Sequence, residues 1–349
     1  MGVFDHAEFD NHESLHHFYD EATGLRTIIS VHSTALGPAA GGCRRWTYTN
    51  DADALTDALR LSRGMTYKNA VAGLKFGGGK AVILANDRAP KSAALFAAFG
   101  RAVDSLGGRY ITAEDVGCTV DDMRHVREQT EFVSGLPHAE GVAGGDPSPW
   151  TALGCLQGIE AAASAKLGKD SLKGLRIAVQ GVGHVGAALC RLLHEAGTEL
   201  LVSDVSRENL HAISEELPVT IVPPKDLLFS DVDILSPCAL GNILTSTTIP
   251  RIRAKIIAGA ANNQLATTAD GALLAKQGIL YAPDYVINAG GIISVAGEYY
   301  HTSSEQQVRD DVGRIKDRLK LIFDEASETG RPTNEIADEL ARSLVAAAR

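Results

Sequence analysis

The chain has 349 residues, of which 45% are hydrophobic and 22% charged, and its formal net charge is −10. That length exceeds one ordinary core and predicts two domains, while the balance of apolar and charged residues is that of a globular protein. The negative charge excludes a broad nucleic-acid surface, which needs a basic face, and no apolar run approaches the roughly 20 residues that span a bilayer. The N-terminal stretch MGVFDHAEFDNHES is acidic and polar, unlike a secretory signal, so a cytoplasmic location is expected. The five cysteines (Cys43, Cys118, Cys155, Cys190 and Cys238) form no C-x-x-C pair and read as reduced, buried thiols.

Residues 1–145 predict a mixed α/β domain. Arg26 to Ser33 (RTIISVHS) is strand-like, and Asn50 or Asp51 caps a helix carrying Ala52, Leu55 and Leu59 at helical spacing. Leu95, Phe96, Phe99 and Val103 mark a second amphipathic helix, RYIT (Arg109 to Thr112) a strand, and Thr119 with Asp122 a capping box. The breaker-rich segment Gly141 to Trp150 is the expected hinge. Behind it, residues 146–325 alternate regularly. RIAVQG (Arg176 to Gly181) is a short buried strand, followed by a helix through Leu189, Leu192 and Leu193. Further strands are expected at Glu199 to Asp204, Val232 to Ala239, Lys255 to Ala261 and Ile279 to Pro283. Such alternation implies a doubly wound parallel sheet covered on both faces. Val308, Val312, Ile315, Leu319 and Ile322 share one face of a long helix, and residues 326–349 are expected to form a C-terminal helix packing back on the first domain.

The pattern G-x-G-x-x-G stands at Gly181, Gly183 and Gly186. It is a weak signal alone, but here it leaves an apolar strand and opens a helix, the context that dinucleotide binding demands. Gly181 permits the tight turn, Gly183 admits backbone close to a pyrophosphate, and Gly186 lets helix and strand pack closely. Free amides at the helix N-terminus then face the phosphates, with Val182, His184 and Val185 between the glycines as further candidates for cofactor contact. Asp204 ends the next strand about 20 residues on, where an acid binds the adenosine ribose hydroxyls, and its carboxylate would repel a 2′-phosphate. NAD is therefore expected over NADP, although Arg207 stands close by.

The first domain concentrates unusual motifs: GGCRRW (Gly41 to Trp46), MTYKNA (Met65 to Ala70), AGLKFGGGK (Ala72 to Lys80) and TAEDVG (Thr112 to Gly117). The run Gly77-Gly78-Gly79 is entropically costly to fold. It makes sense where backbone passes close to a ligand and delivers Lys80, and equally as a flexible surface loop ending in a solvated lysine.

With these motifs the chain resembles the leucine, phenylalanine and valine dehydrogenases of the wider amino-acid dehydrogenase family, which includes glutamate dehydrogenase. The matching segments run from STALGPAAGGCR (Ser33 to Arg44) through PCALG (Pro237 to Gly241) and AGAANNQL (Ala258 to Leu265) to APDYVINAGG (Ala282 to Gly291). The resemblance implies a catalytic first domain, a Rossmann-type NAD-binding second domain, and a cleft that closes between them. It further implies that Lys68 holds the substrate α-carboxylate, that Lys80 is the general base activating water, and that Asp115 assists proton transfer at the amino nitrogen. That base must be a neutral amine near working pH, which burial and a neighbouring cation such as Lys68 can arrange. Gly41 and Gly42 would line the substrate cavity, with Asn262 and Asn288 near the nicotinamide and Asn288 also within reach of substrate. Thr151 and Ala239 complete the implied cofactor contacts.

At the pocket positions Ala40, Ala113, Ile292 and Val295 there is no cation to bind a side-chain carboxylate, so a hydrophobic L-amino acid is expected. A bulkier residue than Ala40 is usual in leucine dehydrogenases, whereas Ala113 matches the leucine type. One methylene discriminates by only about 1–3 kcal/mol, so leucine, valine, isoleucine and phenylalanine all remain candidates. Two other readings stand beside this one. A hydroxy-acid dehydrogenase could use the same nucleotide domain, but it needs a histidine–carboxylate pair, and reduction independent of ammonia would reveal it. A non-catalytic NAD-binding regulator would bind NADH yet turn over no amino acid. His12, His16 and His17 lack a carboxylate partner and are not expected to hold zinc. Lys75 and Arg63 read as solvated or ion-paired, and the Met and Phe positions of the first domain as core. By the family resemblance the assembly is expected to be a homo-oligomer.

Overall fold

A computed structural model describes residues 2–85, 90–136, 146–239, 241–300 and 304–349. The chain divides into two compact units: Met1–Gly145 with Val295–Glu305 and Ala341–Arg349, and Asp146–Ser294 with Gln306–Leu340.

The first unit is built from β1 (Ser14–Asp20), β2 (Leu25–Ser33), β3 (Ala39–Ala40), β4 (Cys43–Trp46), α1 (Asp51–Ala72), β5 (Gly77–Leu84), α2 (Ala93–Asp104), β6 (Tyr110–Ile111) and α3 (Val120–Arg127). Its sheet runs β1-β2-β5-β3-β6, with β4 also paired to β5. The β1–β2 and β2–β5 pairs are antiparallel and the others parallel. Asn50 caps α1 by accepting from the Asp53 amide, and Thr119 and Asp122 form the expected capping box on α3. Leu95, Phe96, Phe99 and Val103 of α2 join Tyr110 and Met123 in the buried core on one side of the sheet.

Two elements depart from the sequence expectation. The glycine run before Lys80 is not a surface loop but the start of β5, a strand buried along its whole length. Its glycines make room for protein. A Cβ at Gly78 would sit 2.1 Å from the Thr66 amide nitrogen of α1, and one at Gly79 would sit 2.7 Å from the Tyr110 ring. Histidines 16 and 17 lie on β1, so successive side chains point to opposite faces. His12 lies outside that strand. His12 is instead buried, with its ring nitrogen 3.0 Å from the Leu59 carbonyl oxygen.

The second unit contains α4 (Ser148–Leu167), β7 (Arg176–Gln180), α5 (His184–Glu195), β8 (Glu199–Ser203), α6 (Arg207–Glu216), β9 (Val219–Ile221), α7 (Pro224–Leu227), β10 (Ile234–Pro237), β11 (Ile256–Ile257), α8 (Ala269–Lys276), β12 (Leu280–Tyr281) and α9 (Asp284–Ile287). The last three helices are α10 (Gly290–Tyr299), α11 (Glu305–Thr329) and α12 (Thr333–Ala347). The strand order β12-β11-β10-β7-β8-β9 is entirely parallel. Counted from β7 this is the order 3-2-1-4-5-6 of a dinucleotide-binding sheet, with its topological switch between β7 and β10. Of the expected hinge, residues 141–145 lie outside the described residues, and Ser148 to Trp150 open α4. The C-terminal region is two helices, because Gly330 takes a positive φ of 72° and Pro332 follows it.

Candidate active site

Three neighbouring segments of the first unit build a charged cluster. Lys80 is the fourth residue of β5, and its side chain is only 7% exposed. Across from it, the segment after β6 runs beside β4, where the Cys43 amide donates to the Ala113 carbonyl and the Arg45 amide to the Val116 carbonyl. That pairing presents Asp115 to β5, with its Oδ2 2.7 Å from Lys80 Nζ. The same oxygen is 3.2 Å from Arg44 Nε, and Arg44 reaches Asp57 Oδ2 of α1 at 3.0 Å. Tyr48 donates to that Asp57 oxygen at 2.7 Å. Burial by itself would raise the Asp115 carboxyl, but the charges of Lys80 and then Arg44 outweigh it and hold the group down at about 2. Asp115 is therefore a carboxylate throughout the neutral range.

The glycines beside this cluster are sterically required. A Cβ at Gly41 would lie 1.8 Å from the Gly79 carbonyl oxygen, and one at Gly42 would meet Asp115 Cβ at 2.9 Å. Tyr110 donates to the Gly41 carbonyl, which ties the turn after β3 to β6. Ala40, within β3, is buried among Phe76, Ile111 and Ala296, with Leu74, Phe132 and Tyr299 packed against them. Lys68 is half-buried on α1, two residues beyond the Thr66 that abuts β5, and Ala113 is half-buried beside Glu114. Ile292 and Val295 are half-buried and three residues apart on α10, so they share a helix face.

Of the expected cofactor residues, Gly181 to Gly186, Asp204 and Ala239 gather in the second unit at the carboxyl end of β7. Gly181 takes φ +91°, open only to glycine at low cost. A Cβ on Gly186 would lie 1.9 Å from the Gly181 carbonyl oxygen, whereas one on Gly183 would meet nothing within 4 Å. Gly186 is thus needed for packing and Gly183 for open space at the start of α5. That helix starts without a side-chain cap, leaving its first amides available for an anion. Val182 is buried, Val185 half-buried and His184 exposed. Ala239 closes on the turn, within 2.7 Å of a Cβ placed at Gly181. Asp204 Oδ2 accepts from the Val182 amide at 2.8 Å, locking the glycine turn to the end of β8. Its carboxyl lies below the usual range, because the amides of Ser206 and Val182 overcome the larger opposing effect of burial. Asn288 is buried and donates to Asn262 Oδ1 at 2.7 Å and to the Ala260 carbonyl at 3.0 Å, while its own Oδ1 has no partner among the described residues. Thr151 of α4 donates to the Pro147 carbonyl and faces Gly291. These features fit a dinucleotide: a cradle without side chains, unsatisfied amides, and an acid beside them.

Sequence reasoning passed over four residues. Arg44 was visible inside GGCR but had no assigned task. Its partners Asp57 and Tyr48 carry no motif. Glu298 is buried on α10, and its Oε1 accepts from the Gly135 and Leu136 amides at 3.0 and 3.1 Å. A lone glutamate in an apolar helix was its only signal. Arg63 pairs with Glu8 at 2.8 Å and Lys75 is exposed, both as expected. Among the described residues no cluster of His, Cys, Asp or Glu is arranged to hold a metal ion. No helix among them is long and apolar enough to cross a membrane.

Two family models match the chain: the "Glu/Leu/Phe/Val dehydrogenase, dimerisation domain" over residues 12–132 and the "Glutamate/Leucine/Phenylalanine/Valine dehydrogenase" over residues 199–348. The chain is 47% identical to a leucine dehydrogenase of Bacillus subtilis (strain 168), covering 99% of this chain and 94% of that one. It is 43% identical to a phenylalanine dehydrogenase of Bacillus thermotolerans, over 97% and 90% of the two chains. The crystal structure of L-tryptophan dehydrogenase from Nostoc punctiforme superposes with a TM-score of 0.84 at 45% identity, covering 97% of each chain.

Proposed function

Given that the chain belongs to the glutamate/leucine/phenylalanine/valine dehydrogenase family and is an amino-acid dehydrogenase, we propose that it catalyses the reversible, NAD-dependent oxidative deamination of a hydrophobic L-amino acid to its 2-keto acid and ammonia. The carrying observation is the buried Lys80 amine held 2.7 Å from a carboxylate, in a glycine-cleared part of the first unit. In this reading Lys68 holds the substrate α-carboxylate as a fixed cation, as its place on α1 near β5 allows. Lys80 takes the proton from the water that attacks the imine carbon. Asp115, ionised and bound to Lys80, assists proton transfer at the departing nitrogen by stabilising the positive charge that forms there. The nicotinamide supplies one piece of chemistry, acceptance of hydride from the α-carbon. Gly181, Gly183, Gly186, Val182, His184 and Val185 cradle the phosphates, and Asp204 binds the ribose hydroxyls. Because Asp204 is a carboxylate it favours NAD over its 2′-phosphorylated analogue. Thr151, Ala239, Asn262 and Asn288 orient the nicotinamide end, and the partnerless Asn288 Oδ1 accepts a hydrogen bond from bound cofactor or substrate.

The apolar surroundings of Ala40, with Ala113, Ile292 and Val295, suit a hydrocarbon side chain of leucine, valine, isoleucine or phenylalanine size. The named relatives act on leucine, phenylalanine and tryptophan by their descriptions, which supports that range. Self-association through the first unit, in the cytoplasm, belongs to the same proposal. The test is NADH formation with a panel of L-amino acids, beside a Lys80→Ala variant. We expect activity with hydrophobic amino acids, reversal only in the presence of ammonia, and a loss of at least about a hundred-fold in Lys80→Ala. NAD binding without turnover of any amino acid would overturn the assignment.

A further inference from the structure

One carboxylate oxygen in the first unit carries two cations: Asp115 Oδ2 is 2.7 Å from Lys80 Nζ and 3.2 Å from Arg44 Nε. A base that turns over must give up its proton in each cycle, and an adjoining carboxylate opposes this by favouring the ammonium form. The guanidinium cannot lose its own charge. It therefore draws on the same negative charge permanently, whatever the state of Lys80. We propose that Arg44 is a positioning residue of the reaction, which shares the Asp115 carboxylate with Lys80 and thereby eases release of the Lys80 proton. This rests on the reading of Lys80 as the base.

The surroundings leave Lys80 as the group that changes charge. Arg44 and Cys43 face the cluster from β4, Tyr48 from the connection to α1, Asp57 from α1, Tyr110 from β6, and Cys118 from the segment beyond Asp115. Burial pushes the Cys43 thiol and the Tyr110 hydroxyl well above their usual ranges, so both stay neutral. Tyr48 is raised by burial and then by its bond to Asp57, and is also neutral. Asp115 is ionised throughout. Arg44 is itself oriented from behind, by Asp57 at 3.0 Å, which Tyr48 fixes in turn.

The test is the pH profile of kcat/KM for oxidative deamination by the full-length enzyme with NAD and L-leucine. In Arg44→Gln the acid limb should move to higher pH by about one unit, so the rate falls roughly ten-fold on the acidic side and recovers on the alkaline plateau. Arg44→Lys, which keeps the charge, should restore most of the wild-type limb. Tyr48→Phe keeps every charge in place but loosens the Asp57 support of Arg44, and should move the limb the same way by a smaller amount, which keeps the idea testable if Arg44→Gln does not fold. Ionisation of the substrate amine is common to all variants and cancels. An unmoved limb in Arg44→Gln, or an equal loss at every pH in both Arg44 variants, would overturn the proposal while Lys80→Ala stays inactive. Activity retained in Lys80→Ala would instead overturn the base assignment and this inference together.

Discussion

Individual residues in the first unit show how burial sets chemistry. His32 is 5% exposed and packs edge-on to the His12 ring at a centroid distance of 4.7 Å. Its Nδ1 lies 2.8 Å from Thr66 Oγ1, and Asp10 stands 3.8 Å from its other nitrogen. Burial and then His12 lower its pKa from 6.5 to about 4, against the weaker pull of Asp10. The folded protein therefore keeps His32 neutral where the unfolded chain would protonate it. Above pH 6.5 neither state carries the proton, and the contribution of His32 to stability is fully present. As the pH falls from 6.5 towards 4, unfolding takes up a proton and stability declines, by at most about 3 kcal/mol from this group. Urea unfolding of the wild type at a series of pH values should show that decline, and His32→Gln should flatten it. A profile of equal slope in the variant would mean that other groups carry the acid sensitivity.

At the scale of elements, β5 decides where the lysine goes. A strand that begins with three glycines is intrinsically poor, since each loses conformational freedom and contributes no side chain. Its stability comes from neighbours on both sides and from α1, whose Asn69 donates to the Gly77 carbonyl at 2.6 Å. The close approach of α1 to β5 depends on the absent Cβ atoms. Gly78→Ala would press a methyl group against the backbone of Thr66 at 2.1 Å, which no rotamer change relieves. We expect a loss of about 3 kcal/mol or more, and reduced activity because Lys80 is displaced with the strand. Thermal denaturation and steady-state rates measured together would check this. An unchanged midpoint would show that α1 can retreat without consequence.

For the whole molecule, the proposed function puts proton handling in the first unit and nucleotide binding in the second. The second unit builds its glycine turn entirely from its own strands, so a fault there should leave the first unit folded. Gly186→Val places side-chain atoms where a Cβ alone would already lie 1.9 Å from the Gly181 carbonyl. We expect NADH binding, followed by fluorescence titration, to weaken at least about ten-fold, with the near-UV circular dichroism of the aromatic residues in the first unit retained. Undiminished binding would detach the glycine turn from cofactor recognition.

Elements whose signals are local were legible in the residues alone. These include the capping box at Thr119 and Asp122, the amphipathic helix with Phe96 and Phe99, and the strand–glycine turn–helix run through Gly186. So was the alternation that makes the second sheet parallel. In each case the cause lies within a few residues, in a cap, a period or a turn. The lysine motifs carried the family resemblance but not their own conformation, and Gly77 to Gly79 read equally as ligand-approaching backbone and as a loop, because the strand's support comes from α1, β2 and β3. It took the packed fold to bring Lys80 and Arg44 onto one Asp115 oxygen, to set Asp57 and Tyr48 behind Arg44, and to place Glu298 against two amides far away in the chain. Those arrangements join residues from 9 to 163 positions apart. Charge and hydrogen bonding act through space, so which groups meet is settled only when the strands and helices have packed.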